Sequence, residues 1–223
     1  MLWNQLLRYL AYFTLVIVVL GLNRANADYL VVSDFGKETA AFSGTNRGFR
    51  FRSDSNQMVI GLSVYDMTGN GLSVKTGYLG MDVSLWSDSG VLLAGEVVPS
   101  GVQAPIINGF RTVMLSSPIE LKEGNFYRVV ADMGDSNLID KFWFDSPLVQ
   151  TNQISMVQSI FGASSPGNGS YFFPSSLGTL NRASIGPNVY ISSVPEPSSV
   201  LLCVAAMVIT LARSRLQVLI RKN

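Results

Sequence analysis

Histidine is absent from the 223 residues, and cysteine occurs once, at Cys203. Without histidine there is no Ser-His-Asp or Cys-His catalytic site and no His-ligated metal centre. Without a second cysteine there is no intrachain disulfide, so stability must come from a packed core. Charge is sparse, at 14% of residues. Between Asp28 and Ser193 ten Lys and Arg stand against fourteen Asp and Glu, a net charge of −4. A mildly acidic middle is a poor partner for nucleic acid, which needs a basic face to neutralise phosphates. Long amphipathic helical patterns are also missing before Val194.

What is present is concentrated first at the two ends. Residues 1–27 contain no acid. Arg8 and the amino terminus make a basic n-region, and Tyr9 to Leu22 is a 14-residue apolar h-region. Ala25-Asn26-Ala27 follows, placing small residues at the −3 and −1 positions. This pattern predicts a secretory signal peptide cleaved before Asp28.

At the other end, V-P-E-P-S-S at Val194 to Ser199 precedes an apolar run of 13 residues, Val200 to Ala212. Arg213, Arg215, Arg221 and Lys222 follow. Proline fits a helix's first turn, so a hydrophobic helix is expected to start near Pro197 or Ser198. Thirteen residues give about 20 Å, short of the ~30 Å hydrocarbon core, and spanning requires Ser198 and Ser199 to be included and Arg213 and Arg215 to snorkel. That basic flank keeps its side cytoplasmic. A buried core helix, a retained tail anchor and a removable sorting signal all match an apolar C-terminal segment.

The residues Pro195, Glu196 and Pro197, with the apolar segment and arginines behind them, resemble the PEP-CTERM sorting signal of Gram-negative bacteria. The resemblance covers roughly Val194 to Arg215. It implies recognition of Pro195, Glu196 and Pro197 by an exosortase, a membrane transpeptidase-like enzyme, and a link to exopolysaccharide. It also implies passage through the inner membrane to the periplasm, cell surface or extracellular matrix. The family usually ends soon after its arginines, whereas here Leu216 to Asn223 continue.

The middle, residues 28–193, changes to short alternating runs punctuated by Gly, Asn, Asp, Ser and Pro. Period-two alternation of this kind predicts antiparallel strands. Strands are expected at Tyr29–Val32, Gly48–Phe51, Met58–Tyr65, Phe110–Leu115, Phe126–Ala131, Lys141–Phe144 and Ile185–Ile191. Tyr78–Trp86 and Val91–Val98 are expected to form a hairpin about Ser87-Asp88-Ser89-Gly90. Met58, Ile60, Leu62 and Val64 should share one face of their strand, and Leu79, Met81, Val83 and Leu85 one face of theirs. Met67 to Val74 reads as a loop, and Met156 to Phe161 as room for one helical turn. Residues 150–184 are weakly patterned and read as long surface loops. The expected fold is all-β, an antiparallel sandwich of the jelly-roll or immunoglobulin-like kind. Segments including G-F-R-F-R-S-D, V-S-L-W-S-D-S-G-V-L-L-A and S-P-I-E-L-K-E-G-N-F-Y-R-V-V-A, between Gly48 and Asp132, are similar to an uncharacterised β-sandwich family of bacterial surface proteins. That resemblance implies an extracellular module, often found beside carbohydrate-active domains.

Chemistry is thinly signalled. Asp82, Asp88, Asp132 and Asp140 are available as paired carboxylates for glycoside hydrolysis, yet turn chemistry accounts for them and no motif fixes a pair. Asp132, Asp135, Ser136, Asn137 and Asp140 form an oxygen-rich loop of the type that suits Ca2+, again with turn chemistry as the simpler account. No other metal or cofactor is implied. Trp86 is expected in the core because it ends a strand. Trp143, Tyr171 and Phe172 are the candidates for carbohydrate contact. The reading is a non-catalytic exported protein whose partners are signal peptidase, an exosortase-like enzyme, the membrane and, as an option, polysaccharide.

Overall fold

The computed structural model describes residues 28–35, 45–66, 68–73, 77–132, 143–163 and 169–193. The expected signal segment 1–27, the sorting segment 194–223 and residues 133–142, which hold all of the acidic loop except Asp132, lie outside the described residues. Asp28–Ser193 forms one compact unit.

Among the described residues the regular secondary structure is all strand. In order these are β1 (Tyr29–Leu30), β2 (Val32–Phe35), β3 (Thr45–Ser53), β4 (Gln57–Tyr65), β5 (Gly80–Ser87), β6 (Leu92–Pro99) and β7 (Ile106–Ile107). Then come β8 (Phe110–Leu121), β9 (Phe126–Asp132), β10 (Trp143–Thr151), β11 (Ile154–Ala163), β12 (Ser176–Leu180), β13 (Arg182–Ile185) and β14 (Pro187–Ser193). They form a five-stranded sheet β1-β14-β4-β8-β7, a six-stranded sheet β12-β11-β3-β9-β5-β6 and a three-stranded sheet β13-β10-β2. All pairings are antiparallel, in a sandwich-like arrangement.

The core is one buried cluster that draws on both larger sheets. Phe49 and Phe51 of β3, Val83 and Leu85 of β5, and Val129 and Ala131 of β9 join Val59, Leu62 and Val64 of β4, Leu121 of β8, and Val189 and Ile191 of β14. Each large apolar side chain buried there is worth about 1.5–3 kcal/mol. In β3 the alternation does what it predicts: Phe49 and Phe51 are fully buried, and Arg50 and Arg52 take the opposite face. The expected hairpin is β5–β6, from Gly80↔Pro99 to Trp86↔Leu92. A second hairpin, not anticipated from the sequence, joins β7 to β8 through Asn108-Gly109, both at positive φ, 48° and 84°, the backbone that a tight primed turn requires.

Several expectations are corrected by bulges. Met58 and Ile60 do not share the buried face of Leu62 and Val64; Val59 does. The β4–β8 register jumps from Val59↔Ile119 to Gly61↔Met114, and the β14–β4 register shifts at the same place. Against β14 Ile60 is the extra residue, and one extra residue reverses which parity points inward; against β8 it faces the four residues Leu115 to Pro118. Strand β8 does not stop at Leu115 but runs through Ser117 and Pro118, which occupy the matching bulge, where proline is tolerated. Leu79 precedes β5 and is exposed, so that strand's buried face starts at Met81.

Residues 150–184 are not long loops, and Met156 to Phe161 is not helical. Most of this stretch is β11, β12 and β13. Gln153, Met156 and Asn181 all have positive φ. The β11–β3 register shifts between Ser155↔Arg52 and Gln158↔Arg50, so Met156 and Val157 oppose Phe51 alone. This bulge erases the period-two signal.

A buried amide manages the junction of two sheets. β1 pairs with β14, but beyond Val31 and Gly186 the continuing strands β2 and β13 both pair with β10 instead. Fully buried Asn188 stands at the fork. Its Nδ2 donates to the Val32 carbonyl at 2.8 Å, and its Oδ1 accepts from the N–H groups of Val189 and Val32 at 2.9 and 3.3 Å. The side chain thus satisfies backbone groups that the divided ladder leaves unpaired.

Candidate functional site

The most elaborated surface is the outer face of the six-stranded sheet. The parity that buries Phe49 and Phe51 sends Arg50 outward, and Arg128 of β9 lies directly across from it. Asp88, in the β5–β6 turn, meets both. Arg50 donates from Nε and Nη2 to the two Asp88 oxygens at 2.9 and 2.7 Å, and Arg128 donates from Nε at 2.8 Å. The Arg50 guanidinium also lies 3.6 Å from the centre of the Phe126 ring. The hydrogen bond from Arg50 is the main force holding the Asp88 carboxyl down to about 2; burial opposes it, and Arg128 adds its own bond and charge. Asp88 is therefore an anion at neutral pH, with no proton to donate.

Residues 169–175 form a strap across this face. The Gly169 N–H donates to both oxygens of Asp82 at 3.0 and 3.1 Å. Asn46 Nδ2 donates to the Phe172 carbonyl at 2.7 Å, and Arg128 Nη1 to the Pro174 carbonyl at 2.6 Å. Beneath the strap, Trp86, Val130 and Ile160 form a small second core that Tyr171 and Phe173 help to cover. Trp86 and Phe173 meet edge to face with centroids 5.6 Å apart, and the Trp86 indole N–H donates to Ser84 Oγ at 2.8 Å. Arg128 stacks on Phe173 at 4.6 Å.

The predicted aromatics separate here. Tyr171 is half-buried, with its ring over Gly95; an added Cβ there would sit 2.4 Å from the ring. Burial raises its hydroxyl to about 12, with further contributions from Asp82 and Glu96. Phe172 is 45% exposed, on a backbone pinned by Asn46. Trp143 opens β10 opposite Ile185, and its side chain is not among those described. Trp86 is buried, as expected, although in the second core rather than the main one.

Among the acids, Asp82 and Asp132 are buried, Asp88 is ion-paired, and Asp140 lies outside the described residues. The calcium-type residues Asp135, Ser136 and Asn137 lie outside them too, as do Ala25, Ala27, Pro195, Glu196, Pro197, Arg213 and Arg215. Among the described residues no group of three or more acidic or cysteine side chains is placed to hold a metal.

Sequence reasoning missed the Arg50–Asp88–Arg128 cluster, and Phe173, expected beside Tyr171 and Phe172 as an exposed aromatic, is packed on Trp86 and Arg128 instead. The available signal was parity: an arginine on the outward face of two strands and an aspartate in the adjoining turn. It also missed a second acid–base pair. Asp66 and Arg111 meet at 2.9 Å with side-chain exposures of 0% and 7%. Asp66 accepts from Gly69 N and Gly71 N, and Arg111 donates to the Ala104 and Gly69 carbonyls, so the pair organises the loops after β4 and before β8.

The chain matches no curated protein. Residues 36–189 match the family described as Domain of unknown function (DUF4082). That match spans more than half of the sequence and encloses both the outer-face cluster and the strap, and the chain belongs to this family.

Proposed function

We propose that this is a non-catalytic exported protein of a Gram-negative envelope or extracellular matrix, delivered through a PEP-CTERM sorting signal. The observation that carries the reading is the order of V-P-E-P-S-S, an apolar run and a basic tail at residues 194–223, opposite a signal-peptide pattern at residues 1–27. In this reading the chain begins with a signal helix cut before Asp28 and ends with a hydrophobic helix. The domain between is a sandwich of the jelly-roll or immunoglobulin-like kind. Signal peptidase and an exosortase-like enzyme are its processing partners. Intact-mass measurement of the mature protein from its own host tests this: loss of residues 1–27 and of the tail after the motif is expected. A mature pool that still ends at Asn223 would overturn the sorting reading.

A second reading, recognition of polysaccharide, is favoured by Phe172. An exposed ring on a backbone held from both sides is pre-organised for stacking on a sugar face. Affinity electrophoresis of residues 28–193 through gels containing the host exopolysaccharide should show retardation that Phe172→Ala abolishes. Equal mobility with and without polysaccharide would sink this reading.

A further inference from the structure

We infer that the C-terminal end of β14 is a latch whose local opening sets the rate at which Pro195-Glu196-Pro197 is processed; this rests on the sorting reading above. The ladder runs to the last residue of the strand, with Ser192↔Met58 and Ser193↔Gln57. Pro195 is the second residue after Ser193. An enzyme that reads a short extended motif bonds its backbone and needs free chain on either side. Backbone groups already engaged with β4 are not available to it. In the sequence one residue, Val194, stands between Ser193 and the motif.

The geometry also says how far the latch opens. Ile191 is fully buried and is paired on both flanks, with Tyr29 of β1 and Val59 of β4. The pairing with β1 ends there, and Ser192 and Ser193 continue on β4 alone. Opposite them, Gln57 is fixed: it is fully buried, and its Nε2 donates to Ser53 Oγ at 2.9 Å and to the Gln153 carbonyl at 2.7 Å. The mobile partner is therefore the end of β14, and Ile191 is where fraying stops. Release of Ser192 and Ser193 frees two further residues on the N-terminal side of the motif. Such an opening breaks a few ladder bonds and exposes no core side chain, which places it among ordinary native fluctuations.

The test uses the full chain in its own host, in a Cys203→Ser background, pulse-labelled and followed by intact mass. Ser192→Cys with Met58→Cys places a disulfide across a directly opposed pair. Conversion is expected to fall well over tenfold, because the disulfide blocks the opening itself, and to recover on reduction of the same chain. Inserting Gly-Ser-Gly-Ser-Gly-Ser between Ser193 and Val194 should restore conversion in the locked chain. A locked chain converted at the reduced chain's rate overturns the latch. Glu196→Ala separates the two ideas: if it stops conversion while the lock has no effect, the latch alone falls. If Glu196→Ala is converted as before, the sorting reading falls and the latch with it.

Discussion

Two Asp–Arg clusters in this molecule use the same chemistry in different solvent. Asp66 and Arg111 are sealed, and their remaining valences are taken by backbone groups of two loops. Asp88 retains 32% exposure and is shared between Arg50 and Arg128, each of which also lies on an aromatic ring. In the first, desolvation makes each charge dependent on the other, so losing one partner leaves a buried ion with nothing to balance it. In the second, water screens what is lost and the rings still hold the guanidiniums. The difference teaches that the sealed pair defines loops, whereas the wet cluster fastens a strap.

The sharpest way to break the comparison is at the sealed pair. Asp66→Ala should cost about 3–5 kcal/mol, read as a fall in the urea midpoint, because Arg111 is left buried and unpaired. Replacing both partners, Asp66→Leu with Arg111→Met, should recover part of that loss. A single-mutant cost no larger than at Asp88 would erase the distinction.

Next comes the strap. Gly95→Ala drives a Cβ into the Tyr171 ring, and overpacking of this kind costs about 1–3 kcal/mol. In the Tyr171→Ala background the same change should be nearly neutral in a thermal melt. An equal cost in both backgrounds would show that Tyr171 does not press on Gly95.

The smallest effect belongs to the wet cluster. Asp88→Asn should cost about 1 kcal/mol. Its pH dependence has a definite sign. The folded carboxyl lies at about 2, below the unfolded value of roughly 4. Its contribution is therefore complete above roughly pH 4 and is lost as the pH falls towards about 2. Urea midpoints of the parent should approach those of Asp88→Asn across that window. Parallel curves would place the stabilisation elsewhere.

Legibility in the sequence followed regularity of the ladder. The β3–β9 register runs without a shift and the β5–β6 register holds from Gly80 to Leu85, so β3 and β5 keep a single parity and alternation alone identifies Phe49, Phe51, Val83 and Leu85 as inward-facing. In β4, β8 and β11 a bulge resets the parity, so Ile60, Pro118 and Met156 scramble the pattern while the strands continue. The site divides the same way. Tyr171 and Phe172 stand out as aromatics in a Gly- and Ser-rich stretch. That one is packed and the other open depends on Gly95 and Asn46, which lie 76 and 126 positions away in the chain. Arg50, Asp88 and Arg128 are likewise joined only by the fold, across separations of 38 and 40.

The pairing of β1 with β14 has a consequence in time. Leu30 lies beside Tyr190, and Ile191 completes the core that Leu30 helps to begin. The first strand to be synthesised waits for the last, and the loop closed by that contact is almost the length of the domain. Such long-range closure slows folding. A chain that is still emerging holds an unfinished five-stranded sheet, with the flank of β4 that β14 will occupy open to any other strand. Chaperone protection is therefore needed most in the interval just before residues 187–193 arrive, and truncation anywhere before Pro187 should yield aggregate rather than a smaller domain.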